Sequence, residues 1–197
     1  VMVFLMNRIL LGFSATATAV FGVYFKLQSF VFMPVFGLNN GLIPIVAYNY
    51  GAGKKKRIRQ ARKYAAIYAV AIMLVGTILA ELIPGPMLKL FDASENMMTI
   101  GIPALRIICI GFVLAGFSIV CSGVFQGLGK SIYSLYVSVT RQLVILIPVA
   151  YLLSLTGNLN LVWLSFPIAE LGSLGITLWG MHRVMKHLDE VCESSCN

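Results

Sequence analysis

Arg141 and Glu170 are the two residues of this sequence best placed to act on each other. Each interrupts a long apolar run, SVTRQLVILIPVAYLL (138–153) and VWLSFPIAEL (162–171). The runs flank TGNLN (156–160), a polar link so short that two helices joined by it must be antiparallel neighbours. Arg141 lies sixteen residues before Gly157 and Glu170 thirteen after it. At about 1.5 Å per residue their depths differ by about one helical turn, within reach of an arginine. A guanidinium and a carboxylate so placed can pin two helices together, or form a polar element of a route between them. The spacing leaves both open. Lys26, Arg106 and Arg8 are further ionisable groups inside apolar stretches, with Glu81 a weaker case at a segment end. Asn39 and Asn40 form an amide pair after Pro34 and Gly37, and Gln126 and Gln142 sit on two other runs. Any one amide suits an interhelical hydrogen bond, but their spread over several segments points to a hydrated interior.

No arrangement suits bond-making chemistry. GLGK (127–130) and GAGK (51–54) lack phosphate-loop spacing and follow no strand. There is no intramembrane histidine cluster, no pair of acids and no nucleophile beside a base. No catalytic, cofactor-binding or metal-binding residue is therefore expected, and no enzyme. Cys109 and Cys121 sit in apolar runs and read as small buried hydrophobes. Cys192 and Cys196 lie in CESSC, with His182 and His187 upstream, a poor metal signature on its own.

The elements that must position these groups are membrane helices. The chain has 197 residues, 59% hydrophobic and only 11% charged, with mean hydropathy +0.89. A soluble domain carries about 25% charged residues, so this surface belongs in a bilayer. Six segments can be drawn, at about 1–13, 15–49, 58–83, 96–128, 132–155 and 159–184. The expected fold is an all-α integral membrane bundle of six helices over 1–185, with a polar tail at 186–197. The first segment is shorter than the roughly 20 residues a span needs and lacks an initiator methionine, so it reads as a truncated helix of a longer protein. The second segment is longer than the bilayer requires, and Pro34, Pro44, Gly37 and Gly41 supply kink points. Ser94 and Glu95 mark a helix start.

Lys54, Lys55, Lys56, Arg57, Arg59, Arg62 and Lys63 crowd the link between the second and third segments. With Lys130, Arg183 and Lys186 they put ten cations on one side of the membrane, against Lys89 alone on the other. Cations favour the cytoplasmic side, so the basic link and the tail are expected there. A block confined between apolar segments is a topology anchor, and no nucleic-acid partner is expected.

At PVFGLNNGLIPIVAYNYGAGKKKRIRQA (34–61) the chain resembles the MATE (multidrug and toxic compound extrusion) transporters. In that family the second helix of each six-helix lobe ends in a similar Pro/Gly segment, a Y-N-x-G-A-G turn and a basic helix start. LFDASENM (90–97), ALRIICIGFVLAGFSIVCSGVFQGLGKS (104–131) and the two runs around Arg141 and Glu170 agree with its later motifs. The resemblance implies the C-terminal lobe of a twelve-helix carrier in the plasma (inner) membrane. The other lobe and organic cations are its implied partners. Export would proceed by alternating access against inward Na⁺ or H⁺. Some branches place essential carboxylates on the first and fourth helices of this lobe. Here those positions offer Asn7, Arg8 and Arg106 and no acid, so ion coupling is expected to rest on the other lobe. A flippase for lipid-linked oligosaccharide or polysaccharide, of the same superfamily, would use Lys26, Arg106 and Arg141 as a cationic lining. A non-transporting scaffold or channel subunit is the third alternative.

Overall fold

The computed structural model describes the backbone of residues 1–194 and the side chains of these except 187 and 189–194. Cys196 and the side chains of Cys192 and His187 lie outside the described residues. Every regular element among the described residues is a helix: α1 (Met2–Leu11), α2 (Ala15–Gly51), α3 (Lys55–Leu82), α4 (Pro84–Lys89), α5 (Glu95–Cys109), α6 (Phe112–Gly127) and α7 (Ser131–Val139). A π-helical segment (Thr140–Leu146), α8 (Ile147–Ser154), α9 (Leu159–Trp163) and α10 (Ser165–Ser194) complete the series. Among the described residues, four stretches are long and apolar enough to cross a bilayer, and α5 with α6 makes a fifth that bends by 47°. The shorter apolar α1 precedes them.

Local chemistry sets the boundaries. Ser14 and Ser94 cap α2 and α5, accepting from Ala17 N (3.0 Å) and Met97 N (3.4 Å). Such caps stabilise a helix by about 1 kcal/mol. The links after α6 and α8 turn on Gly129 (φ 72°) and Gly157 (φ 71°), a left-handed conformation that side chains with a Cβ resist. α2 runs unbroken through Pro34 and Pro44. At 37 residues it is about 55 Å long, well beyond a hydrocarbon core of about 30 Å.

Three irregularities depart from simple spans. The segment expected at 96–128 is two helices parted at Ile110 and Gly111. The carbonyl of Cys109, freed at the break, accepts from the Thr77 hydroxyl of α3 (3.0 Å), which also lies 3.0 Å from the Met73 carbonyl. The fifth segment widens into π-helical turns just before Pro148. Proline has no N–H for the Val144 carbonyl and its ring crowds that oxygen, so a wider turn relieves both. Pro167 acts alike on Trp163, where α9 ends.

α2, α3 and α6 form the centre, packed at small residues. A Cβ at Gly127 would stand 2.8 Å from the Ile43 carbonyl oxygen and from Val46 Cβ, so α6 and α2 touch backbone to side chain there. At Gly123 a Cβ would run into the Asn39 side-chain oxygen.

Candidate functional site

The Arg141 side chain enters the bundle from the π-helical segment and Glu170 from α10. Arg141 Nη1 donates to Glu170 Oε1 at 3.3 Å. The side chains are 22% and 18% exposed, so the pair is largely withdrawn from the lobe surface. Glu170 Oε2 is buried and accepts no hydrogen bond among the described residues. The Glu170 stem lies against the helix break: a Cβ on Gly111 would come within 3.1 Å of its Cγ and 3.5 Å of Pro167 Cα. A Cβ at 111 would press on the Glu170 stem, which would have to give by a few tenths of an ångström.

The pair borders a cavity of about 280 Å³ between α1, α2, α6, the π-helical segment and α10. Its polar lining adds Gln28, Ser29 and Gln142. Its aromatic lining comes chiefly from α2, through Tyr24, Phe25, Phe32 and Phe36, with Phe166 opposite. These rings hold the break in place. Phe112, the first residue of α6, meets Phe32 edge-on at 5.0 Å and Tyr24 at 6.4 Å, and Tyr24 meets Phe166 at 5.7 Å. The cavity therefore places one cation, one anion and uncharged amides within an aromatic wall.

The pairing expected of Arg141 and Glu170 is thus present, and Gln142 joins them at the cavity. The other sequence candidates do not. Asn39 is buried against Gly123, with Oδ1 accepting no hydrogen bond among the described residues. Asn40 is exposed. Consecutive helical residues point about 100° apart, so both could not face inward. Lys26 shares the exposed face, fourteen residues earlier, and lies 5.7 Å from the centre of the Phe91 ring. Arg106 is exposed and meets Glu81 at 3.8 Å, which gives it a partner on α3 rather than a place in the interior. Gln126 is also exposed and donates to Ser134 Oγ at 3.2 Å. Residues of the basic block from Lys54 to Lys63 lie at the start of α3, largely exposed. The sequence reading missed Gln28 and the aromatic wall. Their signal is the spacing of Tyr24, Gln28, Phe32 and Phe36, four residues apart on one helix face.

The MatE family model matches residues 1–152. Among relatives, "Multidrug export protein MepA" of Staphylococcus haemolyticus (strain JCSC1435) is 26% identical over 166 residues, 83% of this chain and 36% of that protein. The protein of the same name from Staphylococcus aureus (strain MSSA476) is 27% identical over 167 residues, 84% of this chain and 36% of its own. The chain therefore spans a little over a third of the length of these relatives. Among solved structures, the inward-facing conformation of a multidrug resistance MATE family transporter fits with TM-score 0.88 at 22% identity, over 95% of this chain and 44% of that one. An outward-facing conformation fits with TM-score 0.89 at 23% identity, over 96% and 43%. One lobe fold matches both.

Proposed function

The chain belongs to the MatE family, a transporter family, and on that premise we propose that it forms one six-helix lobe of a secondary carrier that exports organic cations. Export would run by alternating access between this lobe and a second one, against inward Na⁺ or H⁺. The observation that carries the proposal is the Arg141–Glu170 pair beside a cavity at a broken span. Discontinuous helices at a polar interior site are where carriers bind ions and substrates. Buried ionisable groups are expensive in a membrane protein and idle in a scaffold. The equal fit of this fold to inward-facing and outward-facing carriers supports motion of the lobe as a unit.

The aromatic wall favours cations, which the faces of such rings attract. A flippase for pyrophosphate-linked sugars needs a cationic cavity. Here the one arginine lining it is neutralised by Glu170, and Lys26 and Arg106 lie outside. The plasma membrane is the proposed location, with the basic link at 54–63 and the C-terminal end cytoplasmic. The test uses the full-length carrier in everted vesicles, with a fluorescent organic cation and an imposed Na⁺ or pH gradient. Gradient-dependent uptake into the vesicles supports the proposal and names the ion. Gradient-independent behaviour with every cation tried, in vesicles shown to hold folded protein, contradicts it.

A further inference from the structure

Glu170 sits where two irregular stretches of the lobe meet. Its Cγ lies over Gly111 at the break between α5 and α6, and its Oε1 faces Arg141 on the π-helical turns. Its Oε2 is buried without a hydrogen-bond donor among the described residues. Ser173, one turn on, donates to the Glu170 main-chain carbonyl at 3.1 Å. An ionised carboxylate offers about four acceptor sites. Arg141 contacts Oε1 at 3.3 Å, and Oε2 accepts no hydrogen bond among the described residues, with the Ser173 hydroxyl the nearest further donor. A carboxylic acid asks for fewer partners and brings a donor of its own. The adjoining cavity of about 280 Å³ has room for several waters, each taking roughly 30 Å³.

We infer that Glu170 is a proton-binding site of this lobe: Oε2 takes up a proton delivered through the cavity, and the Arg141 guanidinium is released from the pair. One O–H bond forms, the hydronium donor is left as water, and the glutamate goes from charge −1 to 0. Arg141 keeps its own proton. The inference rests on the reading of the chain as half of an ion-coupled carrier, and it places coupling on this lobe where the sequence pointed to the other. The groups facing Glu170 are Arg141 from the π-helical segment and Tyr24 from α2, with Cys109 of α5 near Tyr24. Among the described residues lining the cavity, those from α1 and α6, Met2 and Ile119, do not titrate. With Glu170 protonated, Arg141 is the uncompensated charge at the cavity and repels an organic cation. With Glu170 ionised, the site is neutral and admits one. Proton and cargo then exclude each other, which is the condition antiport requires.

Infrared difference spectroscopy of the full-length carrier in lipid vesicles tests this directly. A carboxylic-acid C=O band should grow as pH falls, vanish in Glu170→Gln and survive in Glu81→Gln. In Arg141→Gln it should shift in frequency, because the guanidinium no longer faces the carboxyl. Should Glu170→Gln fail to fold, Glu170→Asp serves, with a displaced band as the expected result. Wild-type spectra with no Glu170-dependent band between about pH 5 and 9 would overturn the inference. Export is measured on the same vesicles. A Glu170-dependent band without export would uphold the proton site and overturn the carrier reading, whereas export without the band would do the reverse.

Discussion

Glu170→Gln should destabilise the folded carrier by about 2 kcal/mol, and adding Arg141→Gln should return most of that loss. The partners stand 3.3 Å apart. At an effective dielectric constant of about 20, opposite unit charges at that distance attract by about 5 kcal/mol, and desolvation offsets part of it. Removing one partner of a buried pair costs about 3–5 kcal/mol because the other charge is left uncompensated. Exposures of 22% and 18% place this pair at the lower edge. A glutamine carbonyl that still accepts from Arg141 recovers about 1 kcal/mol. The resulting 2 kcal/mol is about a thirtyfold change in the folded-to-unfolded ratio. Unfolding of the purified full-length protein, wild type, two single variants and the double variant, gives the coupling energy. Additivity within about 0.5 kcal/mol would refute the pairing.

Gly127→Ala should lower stability by about 1–3 kcal/mol, because its Cβ meets the Ile43 carbonyl and Val46 at 2.8 Å. Gly175→Ala, with nothing within 4 Å, should be neutral or stabilise slightly, and equal melting shifts for the two would contradict the α2–α6 seam. Thr77→Val removes the donor to the Cys109 carbonyl and should cost about 0.5–1.5 kcal/mol. An unchanged melting temperature would show that the break needs no cap. A cysteine at 56 should resist impermeant maleimide applied to intact cells and one at 157 should react, and the opposite pattern would invert the topology.

What could be read in the sequence was whatever a short link or a local side chain fixes. The six segments follow from apolar length, and the Ser94 cap and the Gly129 and Gly157 turns are local chemistry. Arg141 and Glu170 were legible because a tight turn sets their register. Arg106 and Glu81 were not, since α4 and a loop separate α3 from α5 and leave their register open. The break at Gly111 hides in ICIGFV, a continuous apolar run, and its supporting hydroxyl, Thr77, comes from another helix. The π-helical turns had a visible cause in Pro148, but not a visible consequence. Asn39 and Asn40 cannot both face inward, because neighbours on a helix point about 100° apart.

The most direct test of the account is export per folded molecule by the full-length Arg141→Gln/Glu170→Gln double variant, measured as gradient-driven transport of an organic cation. The variant should fold and accumulate close to wild type, because neither charge is left unpaired. Its gradient-driven export should nonetheless fall to background, because the cavity has lost both the proton site and the charge that excludes cargo. Export at the wild-type rate from that variant would reduce the pair to a pin between two helices and contradict the role assigned to it.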